Sequence, residues 1–357
     1  MSIRVLVVDD SALVRRVLTD IINESPGMHL VDTAFDPIFA VDKLKKYDVD
    51  VIILDIEMPR MDGLTFLDKL MQAKPTPVII LSSLTQKNAN ITLQAFELGA
   101  FDVLAKPDDL LQLENLKGDI VQAILNAGSS TVKNKLIKQY KSQENKIERK
   151  SEESSKEFTS NRHTTEKLIV IGSSTGGTTA IKDILEDLPA DIPGIVIVQH
   201  LPLNFSQQFA DRLNNAVKKL TVKLAKDGDR IQRGFVYISP GEEHCSIESK
   251  GAKYYIKLRK GPKVHYHCPS VTVLFNSAAN YAGRNVIGVM LTGMGDDGSK
   301  AMKEMKDNGS YNIVQDQESS IVWGMPGKAV EYGAANIVLP LNKIAGEIER
   351  YVRENNF

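Results

Sequence analysis

Leu168-Ile169-Val170-Ile171-Gly172-Ser173-Ser174-Thr175-Gly176-Gly177-Thr178-Thr179 is the stretch that decides the fold of the half it opens. Its first four residues are a continuous apolar run, the pattern of a strand buried on both faces of a parallel sheet. A Gly-rich turn follows and leads into a segment with helical spacing. Ile195 to Val198 is a second such run and ends at Gln199-His200. Val286 to Leu291 is a third and ends at Thr292-Gly293-Met294-Gly295. Apolar strands alternating with helices predict a doubly wound, Rossmann-like parallel sheet.

Outward from this stretch, the same alternation fills the N-terminal part. Ile3 to Val8, Val51 to Leu54, Val78 to Leu81 and the shorter Val103-Leu104 read as buried strands. Leu13, Val14, Val17, Leu18 and Ile21 recur at helical spacing after the first. This half therefore reads as a second open, doubly wound parallel-sheet domain. Between the two, 12 of the 26 residues from Lys141 to Glu166 are charged, and Ile147 and Phe158 are the large apolar ones. Such a segment cannot bury a core and is expected to be a polar linker. Val132, Leu136, Ile137 and Tyr140 fit a short amphipathic helix just before it. The predicted boundaries are 1–125, 126–165 and 166–357.

Composition narrows the function. The 357 residues are 42% hydrophobic and 25% charged, with 44 basic and 45 acidic side chains and a net charge of −1. That balance offers no electrostatic footprint for nucleic acid or anionic lipid. No apolar run reaches the length of a membrane span, so no membrane insertion is expected. Met1-Ser2-Ile3-Arg4 runs straight into a strand, so no signal peptide is expected and the predicted location is the cytoplasm. Two cysteines, Cys245 and Cys268, allow at most one disulfide and suit a reducing compartment.

The turn at 172–179 is first tested as a phosphate loop. Thr178 stands where a Walker loop needs Lys, and Ser174 where a dinucleotide fingerprint needs its middle Gly. The better reading is a nucleophile elbow. A Ser on a tight strand-to-helix turn is exposed, and the helix N-terminus offers N–H groups to an oxyanion. His200 and the Asp296-Asp297 pair follow other strands at the same sheet edge. A hydroxyl needs a base and the base needs a carboxylate, so Ser, His and Asp converge as a triad. Singly, each has a plain explanation: a structural His, or a Gly-rich turn.

In the N-terminal half, Asp9-Asp10, Asp55, Ser82 and Lys106 all fall at strand carboxyl ends. Three clustered carboxylates are tolerable with a hard cation such as Mg²⁺. Asp55 could then act as a nucleophile toward a phosphoryl donor, with Ser82 and Lys106 holding the phosphoryl oxygens. The plainer role for one of them is helix capping, as Asp10 could do. His244-Cys245 and His265-Tyr266-His267-Cys268 match no standard zinc spacing, and His-x-His is also plain strand alternation. His29 and His163 carry no assigned role.

Residues 1–125 resemble the response-regulator receiver family, through Asp9-Asp10, Asp55-Ile56-Glu57-Met58-Pro59-Arg60-Met61-Asp62-Gly63, Ser82 and Lys106-Pro107. The resemblance implies a flavodoxin-like receiver and phosphorylation of Asp55 by a histidine kinase. Val103 stands where many receivers carry an aromatic switch residue.

Nearly the whole chain resembles the CheB family of chemotaxis protein-glutamate methylesterase/protein-glutamine glutaminases. The matching stretches are Ile171-Gly172-Ser173-Ser174-Thr175-Gly176-Gly177, Gln199-His200-Leu201-Pro202, His267 to Phe275, Leu291 to Gly298 and Trp323-Gly324-Met325-Pro326. The resemblance implies Ser174, not Ser173, as nucleophile, His200 as base and Asp297, not Asp296, as its carboxylate. It implies the backbone N–H of Met294, with that of Thr175 at the turn, as oxyanion donors. Thr272 stands where Asp is expected in relatives. The implied reactions are hydrolysis of glutamyl methyl esters and deamidation of glutamines on chemoreceptor helices, releasing methanol or ammonia. The unphosphorylated receiver is expected to restrain the hydrolase and phosphorylation to release it. The alternatives are a phospho-regulated binding module with an inactive hydrolase-like domain, and a receiver-linked transcription factor, which would need a basic reading helix.

Overall fold

The computed structural model describes residues 2–58, 62–83, 86–107, 110–129, 166–201, 203–355 and 357. Most of the predicted linker, with the amphipathic segment around Leu136, lies outside the described residues. The chain divides into two compact units, each with its own sheet.

The first unit alternates β1 (Ile3–Val8), α1 (Ala12–Glu24), β2 (Met28–Ala34), α2 (Pro37–Lys46), β3 (Val51–Asp55), α3 (Gly63–Ala73), β4 (Val78–Ser83), α4 (Gln86–Glu97), β5 (Asp102–Lys106) and α5 (Lys117–Ala127). The strands pair in parallel in the order β2-β1-β3-β4-β5, the flavodoxin-like arrangement. Helices cover both faces, so β3 is buried along its whole length and its run of Val51, Ile52, Ile53 and Leu54 needs no polar face. β2 has no counterpart in the sequence reading. It is an edge strand, with Met28 and Ala34 buried at its ends and His29 exposed, so its sequence carries no continuous apolar run. Two local expectations change. Leu13 is 43% exposed and the inner face of α1 is Val14, Leu18, Ile21 and Ile22. The N-cap of α1 is Ser11, whose hydroxyl accepts from Val14 N at 3.4 Å, so the capping role considered for Asp10 falls to its neighbour.

The second unit comprises β6 (Leu168–Ser173), α6 (Gly177–Asp187), β7 (Gly194–Gln199), α7 (Leu203–Ala216), β8 (Thr221–Leu224), β9 (Phe235–Ile238), β10 (His244–Lys250), β11 (Lys253–Arg259), α8 (Val271–Tyr281), β12 (Val286–Met290), α9 (Ser299–Asp307), β13 (Tyr311–Gln315), α10 (Met325–Glu331), β14 (Ile337–Leu339) and α11 (Leu341–Glu354). Seven parallel strands run in the order β14-β13-β12-β6-β7-β9-β8. β6, β7 and β12 are buried throughout. Each fully buried Val, Leu or Ile contributes about 1.5–3 kcal/mol, which makes these three strands the centre of the core.

From β6 the chain winds outward through β7 to β8 and β9, then returns to β12 on the other side of β6. This reversal opens a crevice at the carboxyl ends of β6 and β12, where ligands of doubly wound sheets bind. β10 and β11 form an antiparallel hairpin outside the sheet, an element the strand-helix alternation did not foretell. His244 and Cys245 lie in that hairpin. The His265-Tyr266-His267 segment is not a strand: Val264 and His267 bridge across a tight turn with His265 and Tyr266 at its tip.

Candidate functional site

β6 and β7 lie side by side with Ser173 opposite Gln199, so Ser174 and His200 each stand one residue beyond a strand end, at one edge. The turn at Ser174 is clamped from within. Buried Ser173 donates to Gln199 Oε1 at 2.6 Å, and Gln199 Nε2 donates to the Ser174 carbonyl at 2.9 Å. Ser174 is half-buried, and its N–H donates to the Thr292 carbonyl at 3.1 Å, tying the turn to the loop after β12. Gly293 permits that approach: a Cβ there would lie 2.4 Å from Met325 Sδ and 2.9 Å from Ser174 Cβ. The Met294 residue of the same loop therefore follows directly on the contact with Ser174. Thr175 follows Ser174 immediately, at the head of α6.

Asp297 is buried and bonds His200 Nε2 through Oδ2 at 2.8 Å. It also accepts from Ser270 Oγ at 2.8 Å, Val271 N at 2.7 Å and Thr272 N at 2.9 Å. Val271 and Thr272 open α8, so the carboxylate caps a helix N-terminus that is not its own. Burial pushes the carboxyl up, but the bonds from His200, Thr272 and Ser270 outweigh it and hold Asp297 below the ordinary carboxylate range. An ionised Asp297 fixes the proton of His200 on Nε2. Nδ1 is buried and has no hydrogen-bond partner among the described residues, Ser174 Oγ included. Asp296, next in chain, instead makes an exposed pair with His265 Nδ1 at 3.1 Å.

Three features went unread in the sequence. His267 stacks on His200 with ring centres 3.6 Å apart and 12° between planes. Burial, then the neighbouring His200, pull the His267 pKa down to about 3, so the stacked ring is neutral at neutral pH. Thr272 bonds the Asp297 loop twice, its N–H to the carboxylate and its hydroxyl accepting from Gly298 N at 2.8 Å. The Gln199 clamp was visible only as part of a motif. A buried amide that ties two turns together carries no sequence signal of its own.

In the first unit, Asp9 and Asp55 are buried and Asp10 is exposed, and carboxylate oxygens of all three lie within 4.8 Å of one another. Lys106 Nζ bonds Asp55 Oδ2 at 2.7 Å and Asp9 Oδ2 at 3.0 Å. Burial and then the Asp55 charge raise Asp9 to about 6, while its bonds to Asp55 and Asp9 keep Lys106 above the ordinary lysine value despite its own burial. This hard-oxygen donor set is consistent with a Mg²⁺ site. Buried Ser82 sits at the end of the adjacent β4. Gly63 lets α3 close over this edge, since a Cβ there would meet Asp55 O at 2.7 Å. Val103, on β5, packs partly buried against the core of the unit.

Residues 5–116 match the response regulator receiver domain and residues 169–348 match the CheB methylesterase family. Fold and sites thus define a class, the response regulator joined to a hydrolase. The chain is 46% identical over 358 residues to a protein-glutamate methylesterase/protein-glutamine glutaminase of Chromobacterium violaceum, covering 98% of this chain and 100% of that one. It is 47% identical over 354 residues to one from Leptospira interrogans, covering 98% and 100%. The Thermotoga maritima CheB methylesterase catalytic domain is 39% identical over 53% of this chain and all of its own, with a TM-score of 0.51. The chain belongs to the CheB family of protein-glutamate methylesterase/protein-glutamine glutaminases.

Proposed function

We propose that Ser174, His200 and Asp297 form the catalytic triad of a chemoreceptor methylesterase and glutaminase that works in the cytoplasm. The observation that carries this reading is the state of His200. Its Nε2 is bound to buried Asp297, which leaves Nδ1, buried and without a hydrogen-bond partner among the described residues, as the nitrogen open to act as base. In this reading Nδ1 takes the Ser174 proton as Oγ attacks the side-chain carbonyl of a glutamyl methyl ester. The ester C–O bond breaks, an acyl ester forms on Ser174, and the proton leaves with methanol. Water then attacks the acyl-enzyme, Nδ1 takes its proton, and Ser174 recovers it as the glutamate departs. With a glutamine substrate the leaving group is ammonia. The N–H groups of Thr175 and Met294 stabilise the oxyanion in both steps.

In the receiver, Asp55 is the phosphoacceptor and a histidine kinase the donor. Asp9, Asp10 and Asp55 would hold Mg²⁺, which supplies charge neutralisation for the incoming phosphoryl group. Lys106 and Ser82 bind its oxygens. The working boundaries are a receiver over 1–125 and a catalytic domain over 166–357.

Methanol release from methylated receptor membranes tests the triad. Ser174→Ala, His200→Ala and Asp297→Asn should each lower turnover by roughly three orders of magnitude or more, and the double variants little further. Full turnover in Ser174→Ala sinks the assignment.

A further inference from the structure

We propose that Tyr266 is a substrate-docking residue: the turn from Val264 to His267 holds its ring beside the catalytic site, where it packs on the receptor polypeptide carrying the target side chain. The inference rests on the triad reading above and extends it to how a protein substrate is recognised.

Among the described residues, three non-glycine residues have positive φ: Glu242 at 64°, His265 at 48° and Tyr266 at 67°. All three belong to segments that touch, because Glu242 N donates to the Cys268 carbonyl at 3.3 Å. Such conformations disfavour residues with a Cβ, cluster at sites of function and persist only where the surroundings enforce them. Here the enforcement is explicit. Val264 and His267 exchange backbone hydrogen bonds of 2.9 and 3.0 Å, closing the turn. On one side of the tip, His265 bonds Asp296, the residue before Asp297. On the other, His267 stacks on His200. The two residues flanking Tyr266 are thus both fastened to the catalytic loops.

Tyr266 itself is 89% exposed, far more than any other exposed large apolar side chain of the described residues. Among the described residues no hydrogen bond, ion pair or ring contact engages the ring. A fully solvated aromatic on a fastened backbone loses little freedom on binding and gains the burial of its face, the property that enriches Tyr at protein interfaces. The occupant follows from the chemistry of the site. The reacting group is a short side chain on a polypeptide, and Ser174 lies in a crevice at a sheet edge. For the side chain to reach Ser174, its own backbone must lie across the rim, and the Tyr266 turn is fastened to that rim through His200 and Asp296.

The test compares two substrates on the full-length protein: methylated receptor membranes and a small chromogenic acetate ester that has no polypeptide to dock. In Tyr266→Ala, the ratio of kcat/KM for receptor over small ester should fall about tenfold. Tyr266→Phe keeps the ring and should bring the ratio back to within about twofold of the wild type. A ratio that stays put, whether both rates hold, fall or rise together, overturns the proposal. So does a ratio that falls as far in Tyr266→Phe as in Tyr266→Ala. Ser174→Ala separates this failure from failure of the triad: methanol release by that variant would discard the site reading itself, whatever Tyr266 does.

Discussion

Ser173 and Ser174 are chemically identical neighbours with opposite surroundings. Ser173 is buried and spends its hydroxyl on Gln199, while Ser174 is half-buried. Their alanine variants should therefore part along different axes. Ser173→Ala strands Gln199 Oε1 without its donor and should cost about 1–3 kcal/mol of stability, read by denaturant unfolding of the catalytic domain. Its turnover should stay within roughly tenfold of the wild type, since the Gln199 bond to the Ser174 carbonyl survives. Ser174→Ala should unfold at the wild-type denaturant concentration and lack turnover. An inactive Ser173→Ala of unchanged stability would mean that the nucleophile has been placed one residue off. The Asp296-Asp297 pair divides in the same way, one carboxylate buried at a helix N-terminus and one in an exposed pair with His265.

At the level of elements, the site is assembled by the loop after β12. That loop gives its Thr292 carbonyl to Ser174, passes over the turn at Gly293, and delivers Asp297 to the N-terminus of α8. Thr292 is held in turn by buried Gln315 of β13, whose Oε1 accepts from Thr292 N at 2.7 Å. The loop has no spare room. A methyl group at Gly293 would collide with Met325 Sδ at 2.4 Å and with Ser174 Cβ at 2.9 Å. Gly293→Ala should thus lift the loop from the turn and misplace Ser174, lowering kcat by on the order of a hundredfold. The accompanying loss of stability should be about 1–3 kcal/mol, typical of overpacking. Steady-state kinetics and thermal unfolding of the same preparation check both. An active Gly293→Ala would show that the contact between loop and turn is dispensable. The Thr at position 272 is accommodated at this level: its hydroxyl accepts from Gly298 and its N–H from the helix end reaches Asp297.

At the scale of the whole molecule, a hydrolase domain shares its chain with a receiver. Chemistry at Ser174 would need no phosphate, so the role proposed for the receiver is control through the charge gained at Asp55. A fragment of residues 166–357 should release methanol faster than the unphosphorylated whole chain. A small phosphodonor with Mg²⁺ should raise the rate of the whole chain and leave the fragment unchanged. Asp55→Asn should abolish the response. If the fragment only matches the unphosphorylated chain while phosphodonor still activates the whole, restraint is the wrong sign of control and the receiver acts positively.

The strands β1, β3, β4, β6, β7 and β12 were legible because a strand covered on both faces is written as an unbroken apolar run. The candidate residues were legible with them, since side chains that follow such strands are delivered to one edge of the sheet whatever the helices do. β2, β8 and β13 were not. Edge strands keep exposed positions, and β13 buries Asn312 and Gln315, polar residues whose partners lie far away in sequence. The residue types at the site and their order along the chain are thus properties of the sequence. Which nitrogen of His200 faces Asp297, the neutral His267 ring stacked against it and the exposure of Tyr266 are decided by tertiary structure. Each depends on the relative placement of loops far apart in the sequence, and local pattern carries no information about distances of that kind.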